Sequence, residues 1–202
     1  MVNSGGGGSI GLSAGSTGTV TVTGVGSIWR NSPGGGLNIG SFGTGTLTIA
    51  NGGTVINDTG FAANIGNGAG SRGTVTVTGP GSMWSNSSGV NVGNFGTGTL
   101  TVADGGIVNV NGLIVIAAKA GSIGTLNIGA GAGNPAVAPG TLFTQSVEFG
   151  AGTGTINFNH TSANYEFAPA ISGNGRVNVL AGTTILTGTT PTAAAQLLKT
   201  EF

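Results

Sequence analysis

Side chains able to do chemistry are few in this chain. His160 is the only histidine, Asp58 and Asp104 the only aspartates, and Glu148, Glu166 and Glu201 the only glutamates. A Ser-His-Asp triad on a nucleophile elbow would need Gly-x-Ser-x-Gly between a strand and a helix, and no such segment sits there. His160, in Asn157-Phe158-Asn159-His160, reads as a surface residue at a strand end. Glycan cleavage or calcium binding would need clustered carboxylates. Asp58 and Asp104 fall at non-equivalent places of the repeat described below, and both read as turn formers. The Gly-Gly-x-Gly-x-Asp nonapeptide of calcium β-rolls is missing. Gly5 to Gly8 and Gly34 to Gly36 lack the following Gly-Lys-Ser/Thr of a phosphate loop and read as turns. There is no cysteine, hence no disulfide and no thiolate metal site. No catalytic residue, cofactor or metal is expected, and the chain reads as a non-enzyme.

Two sets of residues could bind instead. Trp29 and Trp84 occupy matching positions of a repeated segment. Exposed, they could stack on sugars or a partner; buried, they would fill a corner of the fold and need one acceptor for the indole N–H. Matching positions favour packing, and Arg30 beside Trp29 gives way to Ser85 beside Trp84. The second set is Thr19, Thr21 and Thr23, answered by Thr74, Thr76 and Thr78. Regular outward threonine ladders on a solenoid are what ice-binding β-helices display. The plainer reading is that threonine suits the solvent side of a strand. An ice face needs one flat ladder on every coil, and the Gly-rich intervening sequence and drifting period argue against it. Trp29, Trp84, Thr19, Thr21, Thr74 and Thr76 are the candidate surface-binding residues.

The elements that carry them come from a repeat. Gly70-Ser71-Arg72-Gly73-Thr74-Val75-Thr76-Val77-Thr78-Gly79 echoes Gly15-Ser16-Thr17-Gly18-Thr19-Val20-Thr21-Val22-Thr23-Gly24 at an offset of 55 residues. The match continues through Gly26-Ser27-Ile28-Trp29 and Gly81-Ser82-Met83-Trp84, then resumes two residues shorter as Phe42 to Ile49 against Phe95 to Val102. A degraded third copy runs through Gly121 to Ile128 and Gly152 to Phe158, without its tryptophan. Such a period means a stacked architecture in which each unit buries its apolar face against its neighbours. Val20 and Val22, or Leu47 and Ile49, alternate with threonines, so apolar residues share one strand face and hydroxyls the other. The expectation is an all-β parallel solenoid, with identical strands stacked about 4.8 Å apart. Whether one unit makes two coils or three is open. Ile114 to Ala120 reads as a strand passing into a turn, and Ala193 to Lys199 is the one helix-friendly run.

Composition sets outer bounds. Five basic and five acidic residues cancel among 202, so no field marks a nucleic-acid or membrane-surface partner. With 38% apolar residues and a mean hydropathy of +0.31, there is material for a core, unlike a disordered chain. The 44 glycines keep no three-residue period, which excludes collagen. No apolar run approaches the roughly 20 residues that span a bilayer, and Met1-Val2-Asn3-Ser4-Gly5 lacks the basic and apolar regions of a secretory signal.

Gly18 to Trp29 and Gly73 to Trp84, alternating with Ile39 to Val55 and Val92 to Val108, resemble the passenger repeats of bacterial autotransporters (type V secretion). Ala163 to Phe167, Ile171 to Gly175 and Ala181 to Gly188 are similar to that family's passenger-associated strand repeat. The resemblance covers nearly the whole chain. It implies a right-handed parallel β-helix displayed outside the cell, carried by an outer-membrane β-barrel translocator and meeting ligands on host or neighbouring cells. Function would then be structural or adhesin-like, with polysaccharide processing and ice binding as rival readings. The intact family protein would be on the cell surface or secreted. This chain, without an export signal or barrel, is expected to stay in the cytoplasm when expressed and, with open end strands, to aggregate.

The expected organisation is repeat-bearing coils over 1–142, C-terminal coils over 143–190, and a non-native tail over 191–202. After Leu186-Thr187-Gly188 the chain reads Pro191-Thr192-Ala193-Ala194-Ala195, where a two-base frame shift permits the family's Thr-Tyr-Ser-Gly-Gly. The tail is therefore expected to be out-of-frame sequence.

Overall fold

A computed structural model gives the fold. It describes residues 1–4, 7–31, 34–188 and 195–199, with 2–4 and 195–199 as backbone alone. Each circuit of the chain lays down three short strands. The first turn is β1 (Val2–Ser4), β2 (Gly8–Ile10) and β3 (Thr17–Thr23), and the second is β4 (Ile28–Asn31), β5 (Leu37–Ile39) and β6 (Thr44–Ala50). The third is β7 (Thr54–Asn57), β8 (Ala63–Ile65) and β9 (Arg72–Thr78), and the fourth is β10 (Met83–Asn86), β11 (Val90–Val92) and β12 (Thr97–Ala103). The fifth is β13 (Ile107–Val110), β14 (Ile114–Ile116) and β15 (Ile123–Gly129), and the sixth is β16 (Thr141–Phe143), β17 (Ser146–Phe149) and β18 (Thr153–Asn159). Beyond them come β19 (Tyr165–Phe167), β20 (Ala170–Ser172), β21 (Gly175–Ala181), β22 (Thr184–Leu186) and β23 (Ala195–Lys199).

Like strands stack on like. Sheet A runs β1-β4-β7-β10-β13-β16, sheet B runs β2-β5-β8-β11-β14-β17-β20, and sheet C runs β3-β6-β9-β12-β15-β18-β21-β23. β19 and β22 pair separately. The pairings are parallel, so the molecule is an all-β parallel solenoid of six full turns, and no helix occurs among the described residues.

The coil count left open by the sequence is two per repeat. Thr19 pairs with Thr46, and Thr46 pairs with Thr74, so one 55-residue offset spans two turns. The corner leaving sheet C alternates in kind, and that makes the repeat two turns long. After β3 and β9 the corner is Gly24-Val25-Gly26 or Gly79-Pro80-Gly81, with both glycines of each in the left-handed region. After β6 and β12 it is Asn51-Gly52 or Asp104-Gly105, with Asn51 at φ 51° and Asp104 at φ 49°. Asparagine and aspartate tolerate that region better than other non-glycine residues. Asp104 is a turn former, as its residue type and place in the repeat suggested.

The inward residues build one continuous core. Val75 and Val77 on β9, Leu100 and Val102 on β12, and Leu126 and Ile128 on β15 are fully buried and stack directly in register. The glycine preceding each pair is equally structural. A Cβ on Gly98 would overlap the backbone of Gly93 and Ile65, because the corner from sheet B to sheet C crosses there. The Gly-Thr-Gly-Thr motif is thus a packing motif, in which only glycine fits the inward position.

Toward the C-terminus the regularity changes. The register shifts between Phe158 and Asn159 where β18 meets β21. The helix-friendly run is corrected: Ala195–Lys199 is a strand on the free edge of β21, the available sheet edge overriding local propensity. The remaining residues of the expected out-of-frame tail, 191–194 and 200–202, lie outside the described residues.

Candidate functional surfaces

The outer face of sheet C gathers the threonines that sequence spacing singled out, with others between them. Thr19, Thr46, Thr74, Thr99, Thr125 and Thr155 form one column, each residue paired with the next. Beside it runs Thr21, Thr48, Thr76 and Thr101, continued by Asn127, Asn157 and Asn178. The sequence offset reveals only every second member, Thr19 with Thr74 and Thr21 with Thr76; stacking inserts Thr46 and Thr48 between them. Drift in the period falls in the corners and leaves the strands aligned, so the objection that the ladder would not recur on every coil does not hold for the first column. The asparagine end is closed differently. Asn157 Nδ2 donates to Asn127 Oδ1 at 2.8 Å, and Asn127 Nδ2 donates to Thr101 Oγ1 at 3.1 Å. The 130–139 loop folds over it, with Asn159 Nδ2 donating to Asn134 O at 2.9 Å.

The two tryptophans differ in placement. Sheet A stacks Trp29, Val55, Trp84, Val108 and Leu142 in one inward column. Trp84 is fully buried and its indole Nε1 has no acceptor, so it presents no face to a ligand. Trp29 is half-buried and lines, with Val20, Ile28 and Met1, a cleft of about 490 Å³ at the first turn.

Sequence reading missed a polar seam inside the core. Asn31, Asn57 and Asn86 end successive sheet A strands, stack in register and are buried. Both amide atoms of Asn31 and Asn86, and Oδ1 of Asn57, lack partners. On the outside of sheet B the same residue type is satisfied: Asn64 Nδ2 donates to Asn38 Oδ1 at 2.9 Å and Asn91 Nδ2 to Asn64 Oδ1 at 2.8 Å. A buried unpaired amide costs about 1–3 kcal/mol, and the next residue above Asn86 is Val110. Asn86→Val is therefore expected to raise unfolding free energy by roughly 1–3 kcal/mol in urea titration. An unchanged or lowered midpoint would show that the seam is hydrogen-bonded.

His160 is not the surface residue its context suggested. It is fully buried, with Nε2 2.8 Å from Thr184 Oγ1 and its ring 5.1 Å from that of Tyr165. The extra β19–β22 layer, which has no counterpart in the earlier turns, supplies these neighbours. Burial lowers the pKa of His160, and burial pushes the Tyr165 phenol up to about 12. Below the ordinary histidine pKa of about 6.5 the unfolded chain takes up a proton that the folded chain resists. His160 thus contributes stability that is present above that range and is lost as pH falls through it. Urea midpoints at about pH 7.5 should exceed those at about pH 5.5, and His160→Gln should shrink the difference; equal midpoints in the parent chain would refute the assignment.

Polar groups of three successive turns also line a shallow cleft of about 350 Å³, among them Asp58, Ser85, Asn109 and Asn111. Among the described residues no three His, Cys, Asp or Glu side chains come together in a way that could hold a metal ion.

Fold and surfaces together define a β-solenoid repeat protein. Over 111 residues, 52% of this chain, it is 38% identical to the Escherichia coli (strain K12) protein "Uncharacterized lipoprotein YdeK". Over 100 residues, 48% of the chain, it is 37% identical to "Uncharacterized protein YuaQ" of the same strain. The matched segments make up only 8% and 7% of those relatives, so the chain spans less than a tenth of their length. No protein-family model and no solved structure matches it.

Proposed function

We propose that this chain is a non-catalytic passenger segment of an autotransporter, a stiff solenoid that gives reach and display at the cell surface. The observation that carries the reading is the unbroken register of sheet C from β3 to β18, six strands stacked without a slip. Each further turn lengthens such a stack by about 4.8 Å, and stability is supplied between neighbours, so length can grow without redesigning the core. The word lipoprotein in one relative's name supports a place in the cell envelope. In this reading a β-barrel translocator carries the segment out, and ligands on host or neighbouring cells meet its outer faces, the polar cleft beside Asp58 and Asn109 among them. Antibody raised against the purified chain should label intact cells of the source organism, and external protease should remove the signal. Labelling only after permeabilisation would overturn the proposal.

A further inference from the structure

We propose that the outer face of sheet C is a docking surface for ice, its threonine columns holding a layer of water that joins the crystal lattice. The two columns form a regular mesh. Neighbouring strands of a sheet lie about 4.8 Å apart and residues i and i+2 about 6.6 Å apart, a two-dimensional array of hydroxyls suited to a repeating surface such as a crystal face. The mesh is complete on the first four turns, where each of β3, β6, β9 and β12 contributes two threonines in register.

Three further features favour ice over a soluble ligand. First, the mesh is neutral. Its eight side chains on those turns carry no charge, and Arg72 stands on the flanking column of Thr17, Thr44 and Thr97. A neutral face complements an uncharged lattice, whereas a charge would have to be desolvated against it. Second, the face is rigid. Threonine is stiff at χ1, and the in-register ladder sets the backbone of each threonine directly over the one below. Water bound to successive hydroxyls is then ordered before contact, which removes part of the ordering cost of binding. Third, no aromatic ring stands in the two columns, so the stacking that sugars use is not offered there.

The test uses the intact chain, checked as folded by circular dichroism, in a nanolitre osmometer. A gap between melting and freezing, with faceted crystals, is expected. Thr76→Lys, at the centre of the second column, should abolish both, whereas Thr141→Lys, at an exposed position of sheet A, should keep them. Thr76→Val, which preserves shape and the methyl group, guards against loss through misfolding and should retain part of the gap. A folded parent chain that neither shapes ice nor widens the gap would overturn the proposal, even if it cosediments with crystalline cellulose or chitin. Equal activity in Thr76→Lys and the parent chain would overturn it too. The surface-display reading is tested by cell labelling and stands or falls separately.

Discussion

Gly98→Ala is expected to destabilise the solenoid by about 3 kcal/mol or more, a large share of the roughly 5–15 kcal/mol that an ordinary domain holds. The added Cβ would overlap Gly93 N and Ile65 O. Both are backbone atoms, so no side chain can rotate away. Relief requires the sheet B to sheet C corner to move, and Gly93 there sits at φ 78°, in the left-handed region. Displacing that corner strains the turn it closes as well as Val92 and Leu100, both fully buried beside it. The control is Gly131→Ala, where the nearest atom to an added Cβ is Asn134 Nδ2 at 3.5 Å. That change should stay within about 0.5 kcal/mol. Thermal unfolding followed by circular dichroism separates the two. A Gly98→Ala chain that melts with the parent would show that the inward glycines are not packing residues.

Trp84→Ala should cost about 3–5 kcal/mol, the range for emptying an aromatic site in a core. Its neighbours along the column are Val55 and Val108, too small to fill the space, and all three are completely buried. Trp29→Ala should cost less than half as much, because Trp29 is only half-buried and borders an open cleft. Trp84→Phe should lie between, since it gives up volume but also removes an indole N–H that has no acceptor. Urea unfolding of the three variants gives the order. Equal losses at Trp29 and Trp84 would mean that the two rings share one environment, contrary to the fold.

Much of this fold was legible because the solenoid repeats its local rules. Alternation in Thr19-Val20-Thr21-Val22 told which side chains face in, and the recurrence of the segment told that like would stack on like. Coil number was not legible, because the buried residues of β6 and β9 differ only as Leu47 and Ile49 differ from Val75 and Val77, while the alternation that fixes the count lies in the corners. Trp84 fitted the packing reading, but its missing acceptor is a property of the column above and below it. The Asn31, Asn57 and Asn86 seam was illegible for a related reason. Asparagine beside a corner is read as a turn residue, and only the stacking shows that these side chains point inward. His160 was misplaced because its cover, β19 and β22, belongs to a layer outside the repeat, where periodicity carries no information.

The threonine face shows the reverse case, in which the stack supplied more than the sequence promised. Thr46, Thr48, Thr99 and Thr101 lie half a repeat away from Thr19 and Thr74, so they entered the ladder only when two turns per repeat became visible.

The most direct test of the two-turn stack is a pulsed electron–electron distance between spin labels at Thr19→Cys and Thr155→Cys, in a chain that has no native cysteine. Five strand-to-strand steps separate these residues along the first threonine column. At about 4.8 Å per step the backbone separation is roughly 24 Å, and a single narrow distribution near that value is expected. A stack with three turns per repeat would place the labels about 36 Å apart. A peak there, or a broad distribution with no preferred distance, would contradict the fold on which the display and docking proposals both stand.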